Sequence, residues 1–263
     1  MTPATRFARL GWWPSVVAWL LWALALLSGV ALVLWFDHLL RRAGRPDLVQ
    51  FTAGGWLPSI ACVSAATVGA VLAARRPRHP VGWLLLALAL DTGVCGATGG
   101  YAAYGFLARP GTLPAAGYVT WYVPATAITA LALIGFVLLL TPTGSLPSPR
   151  WRWWAWVTAA APVGLLVVVT VASDPSHPWF VVGNNPLDFR GIGGVLVAAN
   201  QAALTVNVLA VLVAAGSLVV RFRRARGIER LQLRWVALAA AVGSLAGVVA
   251  LAAQAMGAIV LLG

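Results

Sequence analysis

Residues 56–107, WLPSIACVSAATVGAVLAARRPRHPVGWLLLALALDTGVCGATGGYAAYGFL, decide the fold. They contain two apolar runs, 56–74 and 81–107, which are joined by a basic, proline-rich turn at 75–80. Each run has about the 20 residues that a helix needs to cross the hydrocarbon core of a bilayer. The stretch therefore predicts a pair of antiparallel transmembrane helices.

The rest of the chain has the same character. Of its 263 residues, 61% are hydrophobic and 9% are charged, and the mean hydropathy is +0.88. A soluble domain of this size needs far more charge to cover its surface. Further apolar runs of spanning length lie at 12–36, 118–141, 153–172, 194–220 and 235–263. The sequence thus predicts an all-α, polytopic transmembrane helical bundle of about seven spans, forming a single integral membrane domain over residues 1–263.

The arginines predict the orientation of this bundle. All eighteen basic residues are Arg, and the net charge is +12. They lie mostly in short loops between apolar runs, so we expect no nucleic-acid partner. Alternate loops hold thirteen and five Arg, and the richer set belongs on the cytoplasmic side. We therefore expect a cytoplasmic N-terminus in the inner (plasma) membrane, with the loops near 75–80, 142–152 and 221–234 inside.

Residues 37–50 are the exception to this charge rule, because three Arg fall there on the predicted outer side. We interpret the segment as an interfacial helix, with Leu39, Leu40 and Leu48 toward lipid and the Arg side chains among the headgroups. The alternative is that the first two spans are wrongly assigned.

Asp91 is the one charged residue inside a predicted span. An ionised carboxylate in hydrocarbon is costly, so Asp91 is expected to face the bundle interior, to be protonated, or to line a wet cavity. Amides on the last two spans, Asn200, Gln201, Asn207 and Gln254, are its candidate hydrogen-bond partners. These five residues are the intramembrane ligand candidates. A proton- or ligand-sensitive switch and a neutral Asp in a polar network remain open alternatives.

Small and loop residues suggest further features. Gly96 and Gly100 form a pair that favours close packing within the bundle over homodimerisation. Two cysteines are too few for a disulfide scaffold or a zinc site. On the outer face, Asp174 and His177 are candidates for a pH-sensitive or metal site, although loop residues of this kind are usually just solvated. No metal ion or cofactor is expected.

Several segments resemble the membrane sensor region of polytopic, actinobacterial-type two-component sensor histidine kinases. They are RRPRHPVGW at 75–83, PTGSLPSPRW at 142–151, NPLD at 185–188 and RRARGIERLQLRW at 223–235. The resemblance covers residues from about 56 to the end. It implies a membrane module for sensing or signal transmission without its catalytic domain, so no catalytic residue is carried over and no enzyme is expected. It also implies a cytoplasmic transmission loop that contains Arg223, Arg224, Arg226, Glu229, Arg230 and Arg234.

Other functions and partners remain open. The rival function is a small transporter or permease-like protein that uses Asp91 and the face of Asn200 and Asn207; a third is a structural partner protein. The expected partners are the lipid bilayer, with a homodimer and a cytoplasmic kinase or response regulator as alternatives. If the chain belongs to a sensor kinase, the reading frame is expected to continue through an eighth span, because the seventh would end outside.

Overall fold

The computed structural model describes residues 12–51, 56–171 and 193–224. Throughout these ranges the elements are helical, which confirms the all-α prediction for this part of the chain. The helices are α1 (Trp13–Leu26), α2 (Val33–Arg42), α3 (Trp56–Arg75), α4 (Pro80–Ala102), α5 (Ala116–Leu140), α6 (Arg152–Val171) and α7 (Gly193–Arg224). Short π-helical segments, Leu27–Leu32 and Ala103–Ala108, join α1 to α2 and extend α4, and 3-10 turns lie at Pro46–Phe51 and Pro149–Trp151.

Three helical stretches are long and apolar enough to cross a membrane, namely Trp13–Arg42, Pro58–Arg75 and Pro80–Ala108. Shorter apolar stretches lie within α5 and α7, at Thr129–Leu140 and Thr205–Leu218. These helices mark the chain as a membrane protein. The predicted run at 235–263 lies outside the described residues, so the number of seven spans stays a prediction.

The turn between α3 and α4 follows directly from its prolines. His79 has the extended backbone that a following proline favours. Pro80 then occupies the first turn of α4, where its missing N–H costs nothing. The Trp83 indole donates to the carbonyl of Pro77 at 2.8 Å and holds the turn against the helix. The helix ends therefore lie within one residue of the predicted boundaries.

Glycines allow α3 and α4 to approach closely. A Cβ added at Gly82 would lie 2.7 Å from the backbone nitrogen of Ala73, and one at Gly69 would lie 2.9 Å from the carbonyl oxygen of Gly82. Neither position can hold a larger side chain without a shift of backbone. This is the close approach that small residues permit between transmembrane helices.

The continuous helical stretch Trp13–Arg42 consists of α1, the π-helical segment and α2, and we call it the first helix. It covers the glycine-rich side of α4. A Cβ at Gly93 would collide with Ser28 Oγ and lie 2.9 Å from the backbone nitrogen of Gly29, and one at Gly100 would lie 2.6 Å from the Cβ of Phe36. Gly96 is also buried. Gly100, the second member of the Gly96/Gly100 pair, thus packs inside the bundle, as the sequence predicted.

The helices alternate in direction. Ser15, at the start of α1, donates to the carbonyl of Ala74 near the end of α3 at 3.4 Å. At the opposite end, Phe36 lies edge-on to Tyr101 with ring centroids 6.0 Å apart. α5 packs on α4 and also on α6 and α7. One end of the bundle, which we call the loop end, therefore gathers residues 75–80, 141–152 and 221–224.

The structure contradicts the lipid-facing assignment of Leu40 and Leu48 in the segment 37–50, while Leu39 is half-buried. The first helix runs on through Arg42, and a 3-10 turn follows at Pro46–Phe51. Leu40 and Leu48 do not face lipid; both are buried with Ala103. They cover the π-helical extension of α4, because packing on protein removes their apolar surface from the polar membrane boundary.

Candidate functional site

The C-terminal end of α7 is tied to the end of α5 by Arg221. Its Nη1 donates to Thr143 Oγ1 at 2.7 Å, and its Nη2 donates to the carbonyl of Leu139 at 2.7 Å. Nη2 also donates to the carbonyl of Ser145. Leu139 lies in the last turn of α5, where carbonyls lack partners within the helix and a cation meets the negative end of the helix dipole. Arg221 therefore supplies a cap that α5 cannot make for itself.

The turn that Arg221 grips has a defined local structure. α5 ends at Leu140, and Pro142, which has no N–H, follows Thr141. Thr141 Oγ1 donates back to the carbonyl of Val137 at 2.6 Å. Gly144 has φ +74°, a left-handed conformation that glycine adopts without strain, and its N–H bonds to the carbonyl of Leu140 at 2.7 Å. The PTGS motif thus folds residues 141–145 into a compact turn.

His79 holds the same turn from the other side. Its Nε2 lies 2.9 Å from the carbonyl oxygen of Pro142. A carbonyl can only accept, so Nε2 carries the hydrogen. A Cβ at Gly144 would lie 2.9 Å from Pro80 Cδ and 3.3 Å from His79 Nε2. The start of α4, the end of α5 and the end of α7 therefore meet at residues 141–145, and we call this the loop-end junction.

Two buried nitrogens of the junction have no hydrogen-bond partner among the described residues, His79 Nδ1 and Arg221 Nε. Burial lowers the pKa of the Arg221 guanidinium from its usual value. An arginine nevertheless stays charged in proteins. The guanidinium of Arg221 therefore remains a cation at any physiological pH, and its Nε–H has no acceptor among the described residues. The hydrogen bonds of the junction persist only while α7 stays packed against the end of α5.

Asp91 has a different environment. It lies in the middle of α4, and its Oδ2 is buried without a hydrogen-bond partner among the described residues. Two residues correspond to about 200° of rotation around a helix, so Asp91 lies on the side of α4 away from the contact that Gly93 makes with the first helix. The Oδ2 atom is enclosed by protein, which is one of the three environments expected for this residue.

The structure does not bring Asp91 together with Asn207. α4 packs on α3 and α5, whereas α7 packs on α5 and α6. The Asn207 amide is buried and donates to the carbonyl of Ala203 in its own helix at 2.9 Å. Asn200 and Gln201 lie one to two turns earlier in α7, and their side chains are not among those described. Gln254 lies outside the described residues.

The other predicted sites are only partly described. Arg223 is exposed in the last turn of α7, and Arg224 ends that helix. Arg226, Glu229, Arg230 and Arg234 of the transmission loop lie outside the described residues, as do Asp174 and His177. Within the described ranges, no group of three or more His, Cys, Asp or Glu residues could hold a metal ion.

The loop-end junction is not among the sites predicted from the sequence, where Arg221 is only one of the thirteen arginines assigned to the inside loops. A signal was present, because the buried positions of α7 follow helical spacing, Asn207, Ala210, Ala214 and Ser217, and the next position on that face is Arg221. A cation at the end of a buried face must find acceptors on a neighbouring helix.

No protein-family model, no curated protein and no solved structure matches this chain.

Proposed function

We propose that this chain is a membrane sensory or signal-transmitting module of the two-component histidine-kinase type, without a catalytic domain. In this proposal it lies in the plasma membrane with the loop end in the cytoplasm. The supporting observation is the loop-end junction. Through His79 and Pro142 it joins the segments 75–83 and 142–151, and the third segment, 223–235, begins two residues beyond Arg221. Three of the segments that carry the resemblance thus adjoin one cluster of hydrogen bonds.

The junction suits the task of transmission. α7 has 32 residues, so at 1.5 Å per residue it extends about 48 Å, more than the thickness of the hydrocarbon core. A shift of this helix at its far end would move Arg221 relative to Leu139 and Ser145. Hydrogen bonds weaken steeply with small changes of distance and angle, so in this proposal the junction is the element that such a shift opens or closes.

The proposal is tested by the response of the transmission loop to stimuli. Gly227→Cys is introduced into a variant with Cys62→Ala and Cys95→Ala, and the protein is reconstituted in vesicles. The rate of maleimide labelling is measured while acyl-chain length, osmotic pressure and pH are varied. We expect the rate to change with at least one stimulus. We expect Arg221→Gln to remove this dependence and Arg109→Gln, at an exposed position at the opposite end of the bundle, to retain it. A labelling rate that is the same under all stimuli would contradict the proposal.

A small transporter is the second candidate, and it is supported by Asp91, whose buried Oδ2 has no hydrogen-bond partner in the part of the chain that the structure describes. A buried carboxyl group in a membrane span can hold a proton or a cation in transit. Vesicles loaded with a pH-sensitive dye, under an imposed potential, distinguish the two functions. A proton flux that disappears in Asp91→Asn would favour transport, whereas equal dye responses in parent, Asp91→Asn and empty vesicles would favour sensing.

A further inference from the structure

The outward side of α6 carries an exposed stripe. Trp153, Trp156 and Val163 are 78%, 68% and 60% exposed, and their spacing places them on one side of the helix. The opposite side is buried, and there Thr158 contacts Gly135 of α5 so closely that a Cβ on the glycine would lie 2.6 Å away. The stripe therefore faces the surroundings of the bundle.

The type of exposed side chain in this stripe varies along the helix axis. Val163 lies deepest, the two indoles come next, and Arg152 and Arg150 follow at the loop end, both exposed. Between Trp156 and Arg152 the rise is about 6 Å. Apolar side chain, indole and guanidinium follow one another in the order of hydrocarbon, interface and headgroup in a bilayer. We call Arg150, Arg152, Trp153 and Trp156 the Arg–Trp collar.

The charge around the collar is unbalanced. Six exposed arginines of the loop end are Arg75, Arg76, Arg78, Arg150, Arg152 and Arg223. The acidic residues that the structure describes lie elsewhere: Asp37 and Asp47 toward the opposite end, and Asp91 within α4. No carboxylate among the described residues of the loop end can therefore neutralise these cations, and an anion from outside the chain fits them.

We propose that the Arg–Trp collar binds the headgroup of an anionic phospholipid. Arg150 and Arg152 would pair with the lipid phosphate, for which a guanidinium offers parallel N–H donors. Trp153 and Trp156 would lie against the glycerol and the upper acyl chain, an apolar contact that a free phosphate ion cannot supply. The site is independent of the sensing proposal, because it requires only that the start of α6 lies at a membrane surface.

The proposal is tested by native mass spectrometry of the full chain in detergent, with equal concentrations of phosphatidylglycerol and phosphatidylcholine. The parent protein is expected to retain phosphatidylglycerol preferentially. One arginine near an anionic membrane surface contributes about 1 kcal/mol at low salt, or roughly fivefold in binding. The pair Arg150→Gln and Arg152→Gln is therefore expected to lower the preference by up to about 30-fold.

Matched variants separate the collar from general charge. Arg109→Gln removes an exposed arginine at the opposite end and is expected to keep the preference. Arg150→Lys with Arg152→Lys retains both charges but loses the parallel N–H donors, so its preference is expected to lie between those of the parent and the Gln pair. The proposal is overturned if the Gln pair binds like the parent, if Arg109→Gln loses the preference equally, or if glycerol 3-phosphate displaces the lipid. Melting curves of the Gln pair that match the parent show that the fold is intact.

Discussion

The substitution Arg221→Met tests most directly whether the loop-end junction stabilises the bundle. Methionine keeps an apolar stem but removes the donors to Leu139, Thr143 and Ser145. A hydrogen bond from a charged group contributes about 1.5–3 kcal/mol. Solvent reaches part of the Arg221 side chain and reduces this value. We therefore expect the variant to lose about 2–4 kcal/mol of stability, well below the sum of three fully buried bonds.

The loss should be local, so amide hydrogen exchange is the appropriate assay, together with thermal unfolding in detergent. Without the guanidinium, the carbonyls at the end of α5 must bond to water, and the turn at 141–145 loosens. The N–H of Gly144, bonded to the carbonyl of Leu140 at 2.7 Å, should exchange faster. Arg223→Met, at an exposed position, should change stability by less than about 0.5 kcal/mol. If Arg221→Met melts and exchanges like the parent, the junction does not hold the helices together.

Three further predictions follow from other parts of the bundle. Gly93→Ala should lower the free energy of unfolding by about 1–3 kcal/mol, because its Cβ would collide with the first helix. Gly164→Ala has open space around it and should melt at or above the parent temperature. Equal melting temperatures of the two variants would contradict the close packing. Asp91→Asn should melt like the parent, because the buried Oδ2 of Asp91 has no hydrogen-bond partner among the described residues; a variant that loses more than about 2 kcal/mol would show that the carboxyl group bonds within the bundle. The hydrogen bond from Arg45 lowers the pKa of Asp47, so the pair stabilises its turn above the unfolded value of about 3.9, and the effect is lost as the pH falls through the lower folded value. The exchange protection factors of residues 45–51, which are corrected for the intrinsic rate at each pH, should fall below about pH 4 in the parent, and protection factors that do not change with pH would exclude the pair.

Hydropathy located the described helices well. The predicted run 56–74 became Trp56–Arg75, and 118–141 became Ala116–Leu140. Prolines, glycines and arginines mark these ends, and each acts through its own backbone geometry or charge. Such signals are local, so a single sequence contains them.

The segment after Phe36 shows where local signals fail. Asp37, His38 and two arginines ended the apolar run, yet the helix continues to Arg42. Leu40 is buried on Ala103, which lies more than sixty residues further along the chain. Hydropathy cannot report that contact, because it depends on which helices become neighbours.

The contacts of the candidate sites could not be predicted from the sequence for the same reason. A carboxyl group in a span predicts a buried Asp91, but its partners depend on helix order, and α5 rather than α7 packs on α4. The contact between Arg221 and the PTGS turn crosses more than seventy residues. Only the structure shows that the segments 75–83 and 142–151 meet in one cluster of hydrogen bonds with Arg221.

In the proposed topology, the loop-end segments share the cytoplasmic face of the membrane. Single cysteines at Ser148, Gly227 and Thr112, in a variant with Cys62→Ala and Cys95→Ala, are labelled in intact cells by a maleimide that cannot cross the membrane. We predict that Thr112→Cys is labelled from outside, whereas Ser148→Cys and Gly227→Cys react only after the membrane is opened. Labelling of Ser148→Cys or Gly227→Cys in intact cells, or protection of all three, would contradict the account.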